Sequence, residues 1–286
     1  MQAFEYASPR ELGSAVGLLA DGGLEARVLA GGTDLIIRMR DGTLRPRLVV
    51  DIKRIEELEP PIEQIDGRLR LSAAATMAEV ADSPLVRRHF GALAEAASIV
   101  GSIQIRDRAT VVGNVCNASP AADTAPPLLV YGAVVVVRGA DGERTLPLQD
   151  FFVRSGVTAL RPGELVTAIE LPLEPAPPVA AYVRRTRRRG HDLASVTLCC
   201  GVSGEVVRLA YGSVGPRPLL VVDEGVLADP AASREARAAA FERLFADASP
   251  SPRSMRAGPA YRLAMLRVLG DRALELALAR RAGGRP

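Results

Sequence analysis

The chain contains no tryptophan, and only five tyrosines, six phenylalanines, three cysteines and two histidines among its 286 residues. Proteins that bind single-stranded nucleic acid stack bases on aromatic side chains along a basic groove. Here the densest basic run, Arg184, Arg185, Arg187, Arg188 and Arg189, has no interleaved aromatics, and the net charge is only +3, so nucleic acid is not an expected partner. Cys116, Cys199 and Cys200 are too few for a four-cysteine cluster and lack Cys-x-x-Cys spacing. With only His89 and His191 beside them, a metal centre built by this chain alone is not expected. No apolar run reaches the roughly 20 residues needed to cross a bilayer. The opening residues have neither the basic lead nor the apolar stretch of a secretory signal. The expectation is a cytoplasmic protein with no membrane span.

Three catalytic signatures are also missing. There is no Gly-x-Gly-x-x-Gly string, no Gly-x-x-x-x-Gly-Lys-Ser/Thr and no Gly-x-Ser-x-Gly. The usual dinucleotide fold, phosphate-loop ATPase and serine hydrolase readings therefore lack their main evidence. Hydrolysis by Asp34, Asp123 or His191 would need a spatial grouping that the sequence does not reveal, and His191 reads equally well as structural.

Two segments stand out. Residues 109–127 place glycine, small polar and carboxylate groups between apolar segments without a continuous packing period, and Ala30-Gly-Gly-Thr-Asp34 directly follows an apolar strand. Such segments suit the outline of a ligand better than the filling of a core. Either alone reads as a tight turn, but two in one chain suggest a large bound cofactor. The chain is long enough for two or more domains, and 48 % apolar with 24 % charged residues is the composition of a compact protein.

Ser8-Pro9-Arg10-Glu11 predicts a capped helix start, with Leu12, Val16, Leu18 and Leu19 on its buried side and an end near Gly22-Gly23. Strands are expected at 28–29, 49–51 and 68–74, with a short helix at 35–40. Thr76 caps the segment after it, and Ser83-Pro84 starts a helix over 85–97. A brief helix and a buried strand are expected within 126–137. The proline-dense stretch 172–178 predicts a hinge. Beyond it, adjacent strands at 179–187 and 195–203, another at 206–212, and helices near 233–246 and 261–281 predict a small sheet covered by helices.

Gly31 and Gly32 allow close approach of cofactor phosphates, and Thr33 offers a hydroxyl and an amide to the same group. Asp34, awkward beside a phosphate, is expected to hydrogen-bond the loop or begin the helix. Gly113 and Asn114 repeat the arrangement from the other side of the ligand, with Thr110 and Asn117 as further polar candidates. Asp123 suits the hydroxyls of a ribityl chain or ribose, or else the turn before Pro126. Ser119-Pro120 fixes the path of the loop.

The order and wording of these motifs carry a resemblance. Ala30-Gly-Gly-Thr-Asp-Leu35 and Arg106-Asp-Arg-Ala-Thr-Val-Val-Gly-Asn-Val-Cys-Asn-Ala-Ser-Pro-Ala-Ala-Asp123 resemble the two flavin loops of the FAD-binding medium subunit of molybdenum hydroxylases. That group contains bacterial carbon monoxide dehydrogenase and xanthine dehydrogenase. The match continues through Arg188-Arg-Gly-His-Asp-Leu-Ala194, Gly212-Ser-Val-Gly-Pro216 and Tyr261-Arg262, and so spans nearly the whole chain. The resemblance implies an α+β protein: an FAD-binding region of two α/β subdomains over 1–175, then a smaller α+β domain over 179–286. It implies that Leu29, Ala30, Gly31, Gly32, Thr33, Asp34 and Leu35, with Ala109, Thr110, Gly113, Asn114, Asn117, Ala122 and Asp123, carry most FAD contacts. Leu165, Val166 and Arg184 are weaker candidates, and the isoalloxazine lies toward the C-terminal domain.

The resemblance further implies that this chain carries FAD but no metal, since the four-cysteine insertion of the 4-hydroxybenzoyl-CoA reductase branch is missing. A small subunit with two [2Fe-2S] clusters and a large molybdopterin subunit are the implied partners, assembled as a dimer of heterotrimers. Substrate is oxidised at molybdenum and electrons pass through the clusters to FAD and on to an acceptor, so no catalytic acid or base is required of this chain. Leu193, where some relatives carry an aromatic residue, points away from carbon monoxide and toward an organic substrate. A stand-alone flavin oxidoreductase and a non-catalytic assembly or regulatory subunit are the alternatives.

Overall fold

The protein, seen in a computed structural model, is described over residues 2–188 and 190–283. Arg189 of the basic run lies outside the described residues. The chain opens with β1 (Glu5–Ala7), α1 (Leu12–Gly22), β2 (Ala26–Leu29), α2 (Leu35–Arg40) and β3 (Leu48–Asp51). The strands form a parallel sheet in the order β1-β3-β2, with α1 burying Ala15, Val16 and Leu19 against it. The expected Ser8 cap is not formed. The helix begins at Leu12, whose amide donates to the Glu57 carboxylate at 2.9 Å, while the buried Ser8 hydroxyl has no partner among the described residues. A carboxylate 45 residues away has taken over the capping role, which local sequence cannot signal.

Next come β4 (Ile62–Ile65), β5 (Arg68–Ser72), α3 (Met77–Asp82), α4 (Pro84–His89), α5 (Gly91–Ser98), α6 (Ile103–Arg106), α7 (Val111–Cys116) and α8 (Ala125–Val130). They are followed by β6 (Val134–Gly139), β7 (Gly142–Pro147), α9 (Leu148–Phe151), β8 (Phe152–Arg154), β9 (Val157–Thr158) and β10 (Leu165–Pro172). Five of these strands form a second, antiparallel sheet in the order β4-β5-β10-β6-β7. The β4–β5 hairpin turns at Asp66-Gly67, both at positive φ (47° and 68°), a turn signal that the strand reading had passed over.

The Thr76 capping box and the Ser83 cap form as expected. The single helix expected over 85–97 is broken at Phe90, whose φ of −134° and ψ of 46° leave the helical region. Phe90 packs edge-on against Tyr131 with ring centroids 5.0 Å apart, and the Ala92 amide donates to the Tyr131 hydroxyl. That tertiary partner stabilises a break that periodicity would not show.

After the hinge come β11 (Val179–Arg185), β12 (Val196–Ser203), β13 (Val206–Gly212), β14 (Leu219–Glu224), α10 (Arg234–Leu244) and α11 (Pro259–Arg281). The strands run antiparallel in chain order. Both faces of this sheet are covered, so alternate residues enter different cores. Ala180, Tyr182, Cys199 and Ala210 join the N-terminal core, while Ala181, Val183, Cys200 and Leu209 pack with Leu266, Leu269 and Ala273 of α11. Helix α8 is buried along its whole length between the two halves, and its prolines at the first turn donate no amide that would need a partner. Arg280 of α11 binds Glu95 of α5 at 2.6 Å and the Ala180 carbonyl at 2.7 Å, which ties the halves at a second place.

Gly201 is the tightest point of this packing, since a β-carbon there would lie 2.4 Å from Val130 Cγ1 and 3.2 Å from Pro178. Gly201→Ala is expected to lower stability by about 1–3 kcal/mol through overpacking. Adding Val130→Ala should recover part of the loss, giving non-additive shifts in a urea double-mutant cycle.

Candidate functional site

The two glycine-containing loops meet. Gly31 lies so close to the second loop that a β-carbon on it would stand 2.0 Å from the Arg108 carbonyl oxygen and 2.8 Å from Ala109 Cα. Gly32 has φ of +78°, and a β-carbon there would also press on Leu29 Cδ1. Leu29 ends β2, Ala30 to Asp34 make the turn, and Leu35 begins α2. The first bond entering that helix runs from the Ile36 amide to the Gly32 carbonyl. The amides of Gly31, Gly32, Thr33, Asp34 and Leu35 have no intrachain acceptor among the described residues. A run of free amides on a glycine turn is a donor set for an anion. Asp34 begins the helix as expected, but its side chain makes no capping bond, and partial desolvation pushes its carboxyl above the ordinary value, with Arg38 pulling the other way.

A cleft of about 100 Å³ opens where the loops meet, lined by Ala30, Gly31, Lys53, Thr76, Arg108 and Thr110 among others. Lys53, which sequence reading did not select, reaches it from the end of β3. Its ammonium donates to the buried Asp51 carboxylate at 2.7 Å and lies 3.4 Å from the Ala30 carbonyl. Tyr6 from β1 donates to the other Asp51 oxygen at 2.6 Å. Burial pushes the Asp51 carboxyl up, but the bonds from Lys53 and Tyr6 outweigh it and hold it below its ordinary value. A lone lysine after a strand carries no sequence signal, and only the parallel pairing of β2 with β3 brings it beside the first loop.

The second segment is not one continuous loop. Thr110 caps α7 by accepting from the Gly113 amide at 3.0 Å, and the helix runs to Cys116, with Asn117 as its C-terminal cap. Three β-branched valines and a glycine give this short helix little intrinsic propensity, so burial of Val111, Val112 and Val115 holds it, and it has too few residues for its period to register. The Ala109 carbonyl accepts from the Met77 amide, and Thr110 bridges Thr76, so the start of the segment is pinned to α3. Asn114 accepts from the Thr124 hydroxyl at 2.9 Å. Ala109 and Ala122 are buried in the core.

Asp123 faces the C-terminal domain. Tyr182 donates to it at 2.6 Å, and one Arg184 nitrogen lies 3.2 Å and 3.1 Å from its two oxygens. Burial pushes its carboxyl upward, with Arg184 and Tyr182 pulling the other way. The carboxylate thus spends most of its acceptor capacity across the domain junction, whereas Arg184 commits one of its guanidinium nitrogens there. Leu165 and Val166 lie in β10 with buried side chains. Leu193 is exposed.

The remaining described arginines of the basic run are engaged rather than free. Arg185 donates to the Tyr261 hydroxyl, Arg187 to Asp192, and Arg188 to the His191 carbonyl.

Comparison with known proteins decides the assignment. The model for the FAD binding domain in molybdopterin dehydrogenase matches residues 2–174, and that for the CO dehydrogenase flavoprotein C-terminal domain matches residues 181–277. The chain belongs to the family of FAD-binding medium subunits of molybdopterin dehydrogenases. It is 31 % identical over 292 residues to the xanthine dehydrogenase FAD-binding subunit of Escherichia coli O157:H7, covering 99 % of both chains. It is 32 % identical over 287 residues to the carbon monoxide dehydrogenase medium chain of Hydrogenophaga pseudoflava, covering 97 % of this chain and 98 % of that one. A solved structure of carbon monoxide dehydrogenase from that organism, lacking the Mo-pyranopterin moiety, aligns with a TM-score of 0.88 at 30 % identity over 98 % of each chain.

For a medium subunit of this family, the donor set fits its cofactor. Free loop amides, with Lys53 and Arg108 beside them, suit an anionic diphosphate, and small residues on both loops leave room for it. Among the described residues no cluster of side chains could hold a metal ion. The strand cysteines are packing groups: burial pushes the Cys200 thiol up to about 12 and Cys199 well above its ordinary value. No helix among the described residues is long and apolar enough to cross a membrane.

Because the folded Asp51 carboxyl titrates below its unfolded value, its contribution to stability is present above about pH 4 and is lost as pH falls through the lower folded value. Urea midpoints of the wild type and Asp51→Asn should therefore differ at neutral pH and converge in acid. Gly31→Ala must push backbone against backbone, and is expected to cost about 1–3 kcal/mol or more in the same assay.

Proposed function

We propose that this chain is the electron-transfer subunit of a molybdenum hydroxylase complex, holding FAD between its two loops and passing electrons from a partner's [2Fe-2S] clusters to an external acceptor. The observation that carries the reading is the contact of the two loops at a cleft lined by Gly31, Lys53, Arg108 and Thr110, with the run of free amides of the first loop starting at its edge. When bound, FAD supplies the redox chemistry, and the protein supplies binding and orientation. In this reading Gly31 to Leu35 hold the diphosphate from one side, and Thr110, Gly113, Asn114 and Asn117 line the other. Asp123 and Arg184 close the site toward the C-terminal domain. Lys53 supports the first loop through the Ala30 carbonyl and adds positive charge at the cleft. No side chain of this subunit needs to act as acid, base or nucleophile.

The partners in this proposal are a small subunit with two [2Fe-2S] clusters and a large molybdopterin subunit, assembled as a dimer of heterotrimers. Substrate oxidation takes place in the large subunit, and Leu193, standing where some relatives carry an aromatic residue, favours an organic substrate.

Purification of the complex with its co-purifying chains tests the reading. Expected are a flavin absorption spectrum and reduction of that flavin by an organic substrate only when the partners are present. A complex that stays colourless after reconstitution with FAD overturns the assignment, and full turnover by the isolated chain overturns the subunit role. If carbon monoxide alone reduces the flavin, the organic substrate is wrong. Lys53→Met is expected to weaken FAD binding about tenfold, as a hydrogen bond to a charged group contributes about 1.5–3 kcal/mol. Fluorescence titration checks it.

A further inference from the structure

Four segments far apart in the chain meet at Ser213, just beyond β13. Ser213 is buried and has φ of +66°, a conformation that a residue with a β-carbon keeps only when its surroundings over-determine it. All of its polar groups are used. Its amide donates to the Pro120 carbonyl of the second flavin loop at 2.6 Å, and its hydroxyl to the Ala194 carbonyl at 3.0 Å. Its carbonyl accepts from the guanidinium of Arg262 in α11.

Arg262 is itself 5 % exposed, and its other bonds go to the Ser254 hydroxyl and the Ala257 carbonyl. All three acceptors are neutral oxygens, so its charge is spent on holding backbone and a hydroxyl. Next to Ser213, a β-carbon on Gly212 would lie 2.6 Å from the Pro120 oxygen and 2.6 Å from Thr197 Oγ1. The C-terminal domain thus grips the second loop twice: at Pro120 through Gly212 and Ser213, and three residues on at Asp123 through Tyr182 and Arg184.

We propose that Arg262 is a positioning residue for the flavin: by fixing the Ser213 carbonyl it sets the Pro120 carbonyl and with it the 119–123 segment of the second loop. The inference rests on the FAD reading above. Ser254 and Ala257 have no bond out of the C-terminal domain among the described residues, whereas Ser213, also in that domain, donates its own amide to Pro120 of the N-terminal half.

The test is FAD titration, by flavin fluorescence, of the full chain and of the complex co-purified with its partners, alongside thermal melts followed by circular dichroism. The variants are Arg262→Met and Arg262→Lys. Expected are cooperative melts for the apo-variants, FAD binding at least tenfold weaker for Arg262→Met, and partial recovery for Arg262→Lys, whose ammonium can reach one acceptor but not several in a fork. Folded variants that hold FAD with wild-type affinity overturn the proposal. So does failure of both to fold, since the residue then serves the fold alone. Wild type that binds no FAD in either form overturns the flavin reading itself, whereas wild type that binds it beside unaffected variants overturns only the role of Arg262.

Discussion

The missing β-carbon at Gly31 is the constraint on which the site depends. It lets the turn after β2 lie against the backbone of Arg108 and Ala109, so that two segments nearly 80 residues apart meet beside the free amides of the first loop. Everything near the cleft is arranged around that contact. The parallel sheet delivers the first loop and Lys53 together, while Met77 and Thr76 hold the start of the second segment through the Ala109 carbonyl and Thr110. The antiparallel sheet lies behind, with β10 packed against the core that α7 also enters.

The C-terminal domain acts as more than an appendage. Its sheet buries both faces, one against its own helices and one against α8 and the N-terminal core, so the two halves share apolar surface rather than meeting at a polar seam. Across that boundary, polar bonds are few but specific: Asp123 to Tyr182 and Arg184, Pro120 to Ser213, Glu95 to Arg280, and the Gln149 and Phe152 carbonyls to Arg217. Two of these four places fall on the second loop. The geometry of the loop is therefore set from both domains, which accounts physically for a site whose shape needs the whole chain.

Electrostatics follow the same division of labour. Of the described arginines in the 184–188 run, Arg184 and Arg187 are paired with the Asp123 and Asp192 carboxylates, while Arg185 and Arg188 donate to neutral oxygens and keep their charge at the surface. At the cleft the buried Asp51 keeps its charge through Lys53 and Tyr6, which anchors the ammonium without neutralising the free amides of the first loop.

Much of this was legible in residue order. Apolar periodicity marked α1 and the strands, Thr76 and Ser83 marked caps, and the wording of the two loops indicated a flavin-binding medium subunit, because glycines and short polar groups are needed wherever backbone approaches a ligand. What the chain order alone determined was which segments could bind and which could pack. Tertiary structure decided the rest. It put Glu57 in place of Ser8 at the start of α1, broke a helix at Phe90 against Tyr131, coiled part of the second loop into α7, and brought Lys53 to the cleft. It also turned Asp123 and Arg184 into junction contacts and joined Arg262 to the second loop through Ser213. Apart from the locally capped α7, each of these depends on a partner more than twenty residues away, and local sequence carries the propensity of a segment but not the identity of the group that satisfies its last hydrogen bond.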